Sequence, residues 1–316
     1  MSVEKERYLA QKRKKRILLM ALIAVVAIAV AFFVWNHFQD SGVPTIAVGS
    51  KNFTEQLILG NLLADMIEAH TDYQVERKLA LGGTQPCVEA IQLGGPRGID
   101  LYVDYASTIY INALDLPVGT YSLDEVIHVL QTDLPAQMNF KPIGSLGFDS
   151  PYELSTSPEF AATHNLRTVE DLLAIQDIVR LAPSFEFANR EDGLLGLERI
   201  YGFEFGEILP MEGGPRYMAL LSGEVDVIVT FGTDAMKLVT DLVTLEEERN
   251  VFMPMDALIF FNVDSYADHP DVVAAVSRLL GQISNADMIA MNFRVDNDGE
   301  LPDVVAREFL QARGLI

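Results

Sequence analysis

Cysteine is almost absent from this 316-residue chain: the single thiol, Cys87, excludes an intrachain disulfide framework and a cysteine-based zinc site. Histidine is sparse, and His37, His70, His128, His164 and His269 form neither an H-E-x-x-H motif nor a pair at metal-ligand spacing. The chain has no nucleophile elbow, no phosphate loop and no glycine-rich dinucleotide turn. Asp296-Asn297-Asp298-Gly299-Glu300 lacks the register and the closing glutamate of a calcium loop and reads as a solvated turn. Neither a catalytic group nor a cofactor is implied.

Basic residues are scarce as well, except at one end. Seven of the 23 Lys and Arg side chains lie in residues 1–16, and residues 44–316 hold the other 16 against 42 of the 45 acids. A body that acidic repels a phosphate backbone, which argues against nucleic acid as a partner. Residues 17–34 follow without a charge, and Trp35 closes the run. Such a segment is about the minimum for a membrane-spanning helix, and Trp suits the lipid boundary. Basic residues before it and none after it make 1–16 a cytoplasmic N-terminus, 17–35 an anchor, and the acidic body extracytoplasmic. The competing reading is a cleaved signal segment, since Ala29-Val30-Ala31 is an acceptable site. Cleavage there would leave Phe32-Phe33-Val34-Trp35 at the new terminus.

Beyond the anchor, short apolar runs alternate with helical patterns, the mark of an α/β protein with parallel strands. The patterning predicts strands at 44–48, 74–79, 99–103, 141–146, 178–182, 225–230 and 256–262. It predicts helices at 53–69, 85–93, 122–131, 168–175, 214–222, 270–282 and 301–313. Asn52 and Glu55 read as a capping box that starts the first helix at about Phe53, with Leu57, Ile58, Leu62, Met66 and Ile67 on its apolar face. Lys51 then stands beyond a strand's carboxyl end beside a helix N-terminus, where open α/β sheets bind ligands and anions are favoured. A solvated lysine in an ordinary turn is the bland alternative.

Aromatic and small polar residues recur after the other predicted strands. "DLYVDYASTIY" carries Tyr105 and Thr108, "GFDSPYEL" carries Tyr152, and "APSFEFANREDG" carries Arg190. "VDVIVTFGTD" carries Phe231, and "MPMDALIFF" carries Met255. With "VGSKNFTEQLILGNLLA", "REDGLLGLERIYGFEF", "YMALLSGEVDVIVTFGTD" and "LPDVVAREFLQARGL", these segments cover nearly all of 44–316 in order. Together they resemble the extracytoplasmic substrate-binding proteins of ABC importers for glycine betaine, carnitine, choline and related quaternary amines.

The resemblance implies a two-lobed periplasmic-binding-protein-like α/β fold of type II. Lobe one would be 44–148 plus 254–316 and lobe two 149–253, closing over a ligand between them. It implies a ring box for a quaternary ammonium at Tyr105, Tyr152, Phe231 and Met255, with Lys51, Thr108 and Arg190 for the ligand's carboxylate. A quaternary ammonium cannot donate a hydrogen bond, so ring faces hold it, while a carboxylate wants ammonium or guanidinium donors. Lys51 and Arg190 would then meet only through that carboxylate. The family usually has Tyr where this chain has Phe231 and Met255, so one wall lacks a hydroxyl dipole and another offers only a sulfur. One spanning segment forms no translocation path and no ATP-binding motif is present, so permease and ATPase would be separate chains. A ligand-sensing ectodomain is the alternative from another class; its cytoplasmic stretch of about 16 residues holds no output domain. An enzyme on the same scaffold would need the nucleophile–base pair that is missing.

Overall fold

The order of strands along the chain builds two sheets rather than one. The structure, a computed structural model, describes residues 43–316; the basic stretch 1–16 and the apolar segment 17–35 lie outside the described residues. Among the described residues no helix is long and apolar enough to cross a membrane. The chain runs β1 (Thr45–Gly49), α1 (Thr54–His70), β2 (Gln74–Lys78), α2 (Thr84–Leu93), β3 (Leu101–Tyr105), α3 (Ala106–Asn112), α4 (Leu123–Met138) and β4 (Phe140–Asp149). There follow β5 (Tyr152–Thr156), α5 (Pro158–His164), β6 (Arg180–Ala182), α6 (Leu194–Tyr201), β7 (Glu207–Ile208), α7 (Gly214–Leu221), β8 (Val227–Phe231) and β9 (Val243–Leu245). It closes with β10 (Asp256–Asn262), α8 (Val263–Asp268), α9 (Pro270–Ser277), α10 (Asn285–Asp296) and α11 (Pro302–Ala312).

The first sheet has the order β2-β1-β3-β10-β4 and the second β7-β6-β8-β5-β9. Both are mixed, which corrects the expectation of parallel strands. β1 pairs in parallel with β2 and β3, but β10 runs antiparallel to β3 and β4. In the second sheet β6 is parallel to β7 and β8, while β5 is antiparallel to β8 and β9. The reversed strands β5 and β10 are the ones entered directly from the crossings between sheets, at Ser150-Pro151 and after β9, so no helix turns the chain round before them.

Burial explains the layout. β3 is buried at all five positions, whereas β2, with the sequence QVERK, is exposed or half-buried and sits at the edge, where charges discourage further pairing. α1 packs against β1, β2 and β3 on one side and α9, α10 and α11 on the other. Leu59 and Leu63 are therefore buried along with the predicted Ile58, Leu62, Met66 and Ile67, and Leu57 is only half-buried. The expected capping box at Asn52 is absent: the cap residue is Phe53, without a side-chain bond, and Glu55 turns inward instead. A real capping box starts α4, where Ser122 and Glu125 bond reciprocally. α4 also runs past its predicted end at 131, because Leu134 continues the buried face of Val126 and Leu130. Asp296 ends α10 and accepts from Thr54 Oγ1 at 2.5 Å, so this part of the expected solvated turn is tied to α1.

The crossing is tight. Ser150 N–H donates to the Met255 carbonyl (3.0 Å), Ser150 and Thr233 hydroxyls bond at 2.7 Å, and Gly232 N–H donates to the Pro151 carbonyl (2.9 Å). A Cβ on Gly232 would lie 2.7 Å from Pro151 Cδ, so that position has no room for a side chain.

Candidate functional site

The two crossings bring strand ends of both sheets together. Lys51 follows β1, Tyr105 ends β3 and Thr108 sits in the first turn of α3. Arg190 lies in the loop after β6, and Phe231 ends β8. Because β5 and β10 run the other way, their starts arrive at the same edges: Tyr152 pairs with Phe231, and Ala257, two residues after Met255, pairs with Tyr105. A twofold change of strand direction thus gathers residues spread over 200 positions of chain.

A polar strip crosses between the two halves. Lys51 is 2% exposed; its Nζ donates to Asp104 Oδ1 (2.6 Å) and to Thr84 Oγ1 (3.2 Å). Thr84 in turn donates to Glu186 Oε1 (2.6 Å), and Arg190 Nη1 donates to the same oxygen (3.1 Å). Arg190 Nε and Nη2 grip Asp192, and Nη2 also donates to Thr108 Oγ1 (3.2 Å). The expectation that Lys51 and Arg190 meet only through a ligand carboxylate is therefore corrected: Glu186, a residue of the chain itself, joins them through Thr84. Burial drives the Glu186 carboxyl upward, but the charges of Lys51 and Arg190 and the hydrogen bonds from Thr84 and Arg190 hold it down at about 2. Burial works against the Arg190 guanidinium, and the carboxylate of Asp192 beside it restores the charge. The turn that presents Arg190 is closely built, since a Cβ on Gly193 would lie 2.4 Å from the Phe187 carbonyl oxygen.

The rings divide into two groups. Tyr152 contacts Phe231 (centroids 5.3 Å), Phe187 (4.9 Å) and Phe252 (6.2 Å). Tyr105 has its ring 5.0 Å from Lys51 Nζ, and its hydroxyl donates to Glu55 Oε1 at 2.5 Å. Arg190 lies 5.6 Å from the Tyr152 centroid and Arg216 5.3 Å from that of Phe231, so each of the three expected rings already has a cation of the chain beside it. Met255 is buried in the cluster that also holds Tyr105 and Tyr152. Burial pushes the Glu55 carboxyl up, although Thr233, Tyr105 and Asn292 all donate to it.

Sequence reasoning missed Thr84, Asp104, Glu186 and Asp192, along with Phe187, Phe252 and Arg216. A signal was present for two of them. A buried cation needs a carboxylate partner, and Asp104 and Asp192 stand beside candidate residues in the quoted segments. Glu186 and Thr84 meet only through tertiary folding.

At the mouth of the strip is a cavity of about 320 Å³ lined by Gly83, Thr84, Phe185, Glu186, Asn189 and Arg190. A larger groove of about 480 Å³ lies elsewhere, over Leu57, Arg77 and Arg307. Its cations are spent on Asp65 and Glu68, and it lies beside the edge strand β2 away from the candidate residues, whereas the smaller cavity is lined by Thr84, Glu186 and Arg190 of the strip.

Comparison with known proteins bears on the fold and the family. The chain is 28% identical over 302 residues to the carnitine transport binding protein OpuCC of Listeria monocytogenes, covering 92% of this chain and 96% of that protein. It is 27% identical over 308 residues to the ergothioneine transport permease/ergothioneine binding protein EgtU of Helicobacter pylori, covering 96% of this chain. The chain spans about half the length of that relative, 54%. Among solved structures, that of a glycine betaine/carnitine/choline ABC transporter superposes with a TM-score of 0.70 at 26% identity, covering 85% of this chain and 99% of the other. Residues 44–312 match the model of the substrate binding domain of ABC-type glycine betaine transport systems, and the chain belongs to that family.

Proposed function

We propose that the chain is the extracytoplasmic receptor of an ABC importer and delivers a quaternary amine to permease and ATPase subunits on other chains. Residues 44–148 with 254–316, and residues 149–253, act as two lobes that close on the ligand. The ammonium rests against Tyr105, Tyr152, Phe231 and Met255, where ring faces and a thioether hold a cation that cannot hydrogen-bond. A ligand carboxylate, where there is one, reaches Lys51, Thr108 and Arg190 by taking the place of Glu186. Residues 17–35 anchor the receptor in the membrane with its body outside the cytoplasm.

The observation that supports this most directly is the strip Asp104–Lys51–Thr84–Glu186–Arg190–Thr108, which puts paired charges and buried rings on both sides of one cleft. The family, and relatives named for carnitine and ergothioneine, support a ligand among betaines and related amines. A thermal-shift screen of the purified full-length chain with glycine betaine, carnitine, choline, proline betaine and ergothioneine tests the reading. At least one should raise the melting temperature in a saturable way; no shift from any of the five would refute the ligand class.

A further inference from the structure

The charges along the cleft do not balance. Two cations, Lys51 and Arg190, face three carboxylates, Asp104, Glu186 and Asp192. Asp104 neutralises Lys51, and Asp192 takes Nε and Nη2 of Arg190, the face that a ligand carboxylate would use for a bidentate grip. Glu186 is the surplus anion. Its Oε1 is shared by Thr84 and Arg190 Nη1, while Oε2 faces the 320 Å³ cavity near Gly83, where a Cβ would lie 3.8 Å from it. The exposed ring of Phe185 lines the same cavity. In the buried part of the strip, Asp104 Oδ2 is a further acceptor without a hydrogen-bond donor among the described residues.

We infer that Glu186 is a fixed counter-ion of the cleft and selects a quaternary ammonium ligand that carries no carboxylate over a zwitterionic betaine. The inference rests on the quaternary-amine reading above and narrows it. A ligand carboxylate would be the fourth anion in a strip with two cations, and could reach them only by displacing Glu186 from Thr84 and Arg190. A cation without a carboxylate leaves those bonds intact and is attracted by the surplus charge of Glu186 across the cleft. Arg216, whose Nε and Nη1 are buried beside Phe231 without acceptors among the described residues, is the alternative receiver for a carboxylate.

Calorimetric titration of the full-length protein with choline and with glycine betaine reads the preference directly. The parent should bind choline at least roughly tenfold more tightly, the scale of one partly screened charge a few ångströms away. Glu186→Gln keeps the shape and removes the charge; it should weaken choline and tighten glycine betaine by about tenfold each, reversing the order. Glu186→Asp should keep the parent's order. A parent that binds glycine betaine as tightly as choline or more so overturns the inference and leaves the quaternary-amine reading standing; with it, loss of betaine binding in Arg216→Gln would assign the carboxylate to Arg216. Equal weakening of both ligands in Glu186→Gln also overturns it. Binding of neither ligand by the parent overturns the selection and, if the wider amine screen is also negative, the amine reading itself. The parent's own preference decides the matter even if a variant does not fold.

Discussion

At the scale of single residues, the cleft is held by charges that cannot be removed one at a time. Lys51 is buried with Asp104, and Lys51→Met leaves that carboxylate uncompensated in the interior. Chemical denaturation should show a loss of about 3–5 kcal/mol, the usual cost of breaking a buried pair from one side. The double variant Lys51→Met/Asp104→Leu should recover much of it, because the penalty belongs to the orphaned charge rather than to the missing attraction. Glu186 gives the opposite sign of acid sensitivity from Glu55. A carboxyl held at about 2 when folded, below its ordinary value near 4.5, stabilises the fold fully above the ordinary value and ceases to do so as pH falls through about 2. Glu55, raised by burial, favours the folded state at low pH and loses that contribution as pH rises above its ordinary range. Removing Glu186 by substitution with Gln should therefore make stability fall less between pH 5 and pH 2 than in the parent, as read by urea unfolding at each pH. An unchanged slope would mean that Lys51 and Arg190 do not act on this carboxylate. On the ring side, Phe231→Ala removes the partner of both Tyr152 and Arg216 and should weaken any quaternary ligand by about 0.5–2 kcal/mol.

At the scale of elements, the short strands β5 and β8 matter more than their length suggests. β5 lies between β8 and β9, brings Tyr152 opposite Phe231, and follows the crossing directly. The contact of Gly232 with Pro151 sets that join. Gly232→Ala should lower the melting temperature, since a methyl group would meet the Pro151 ring and the neighbours are backbone and a ring that cannot swing away. Gly214→Ala, at the start of α7, meets nothing within 4 Å and serves as the control expected to have little effect. If the two substitutions lower the melting temperature equally, the crossing is not a tight point of the fold.

At the scale of the whole molecule, two sheets are joined by two crossing segments and by a strip of charges and hydroxyls, and the proposed closure should depend on that strip. The hydrogen bonds from Arg190 to Thr108 and from Thr84 to Glu186 link the halves directly. Arg190→Ala removes one link and leaves Asp192 without its partner. Small-angle scattering should show the ligand-free variant more open than the ligand-free parent. Equal dimensions would mean that the strip does not govern closure. N-terminal sequencing of protein from the native membrane tests the anchor: an intact start supports it, and a mature chain beginning at Phe32 would make the receptor soluble.

The primary sequence by itself determined the α/β class, seven of the ten strands among the described residues and the strand-end positions of the candidate residues, because those depend on local periodicity and on turns. The short strands β5, β7 and β9 were not legible: two to five residues carry too little alternation to stand out, and their pairing is settled by the second sheet as a whole. The direction of β10 was equally hidden, since an apolar run reads the same both ways. Lys51 and Arg190 were visible as cations in the right turns. That their charges are answered by Asp104, Asp192 and Glu186 was decided only when folding brought together side chains as far as 102 residues apart, as with Thr84 and Glu186. Local pattern selects which residues reach a cleft; burial, which makes every unpaired charge costly, determines which of them remain free to meet a ligand.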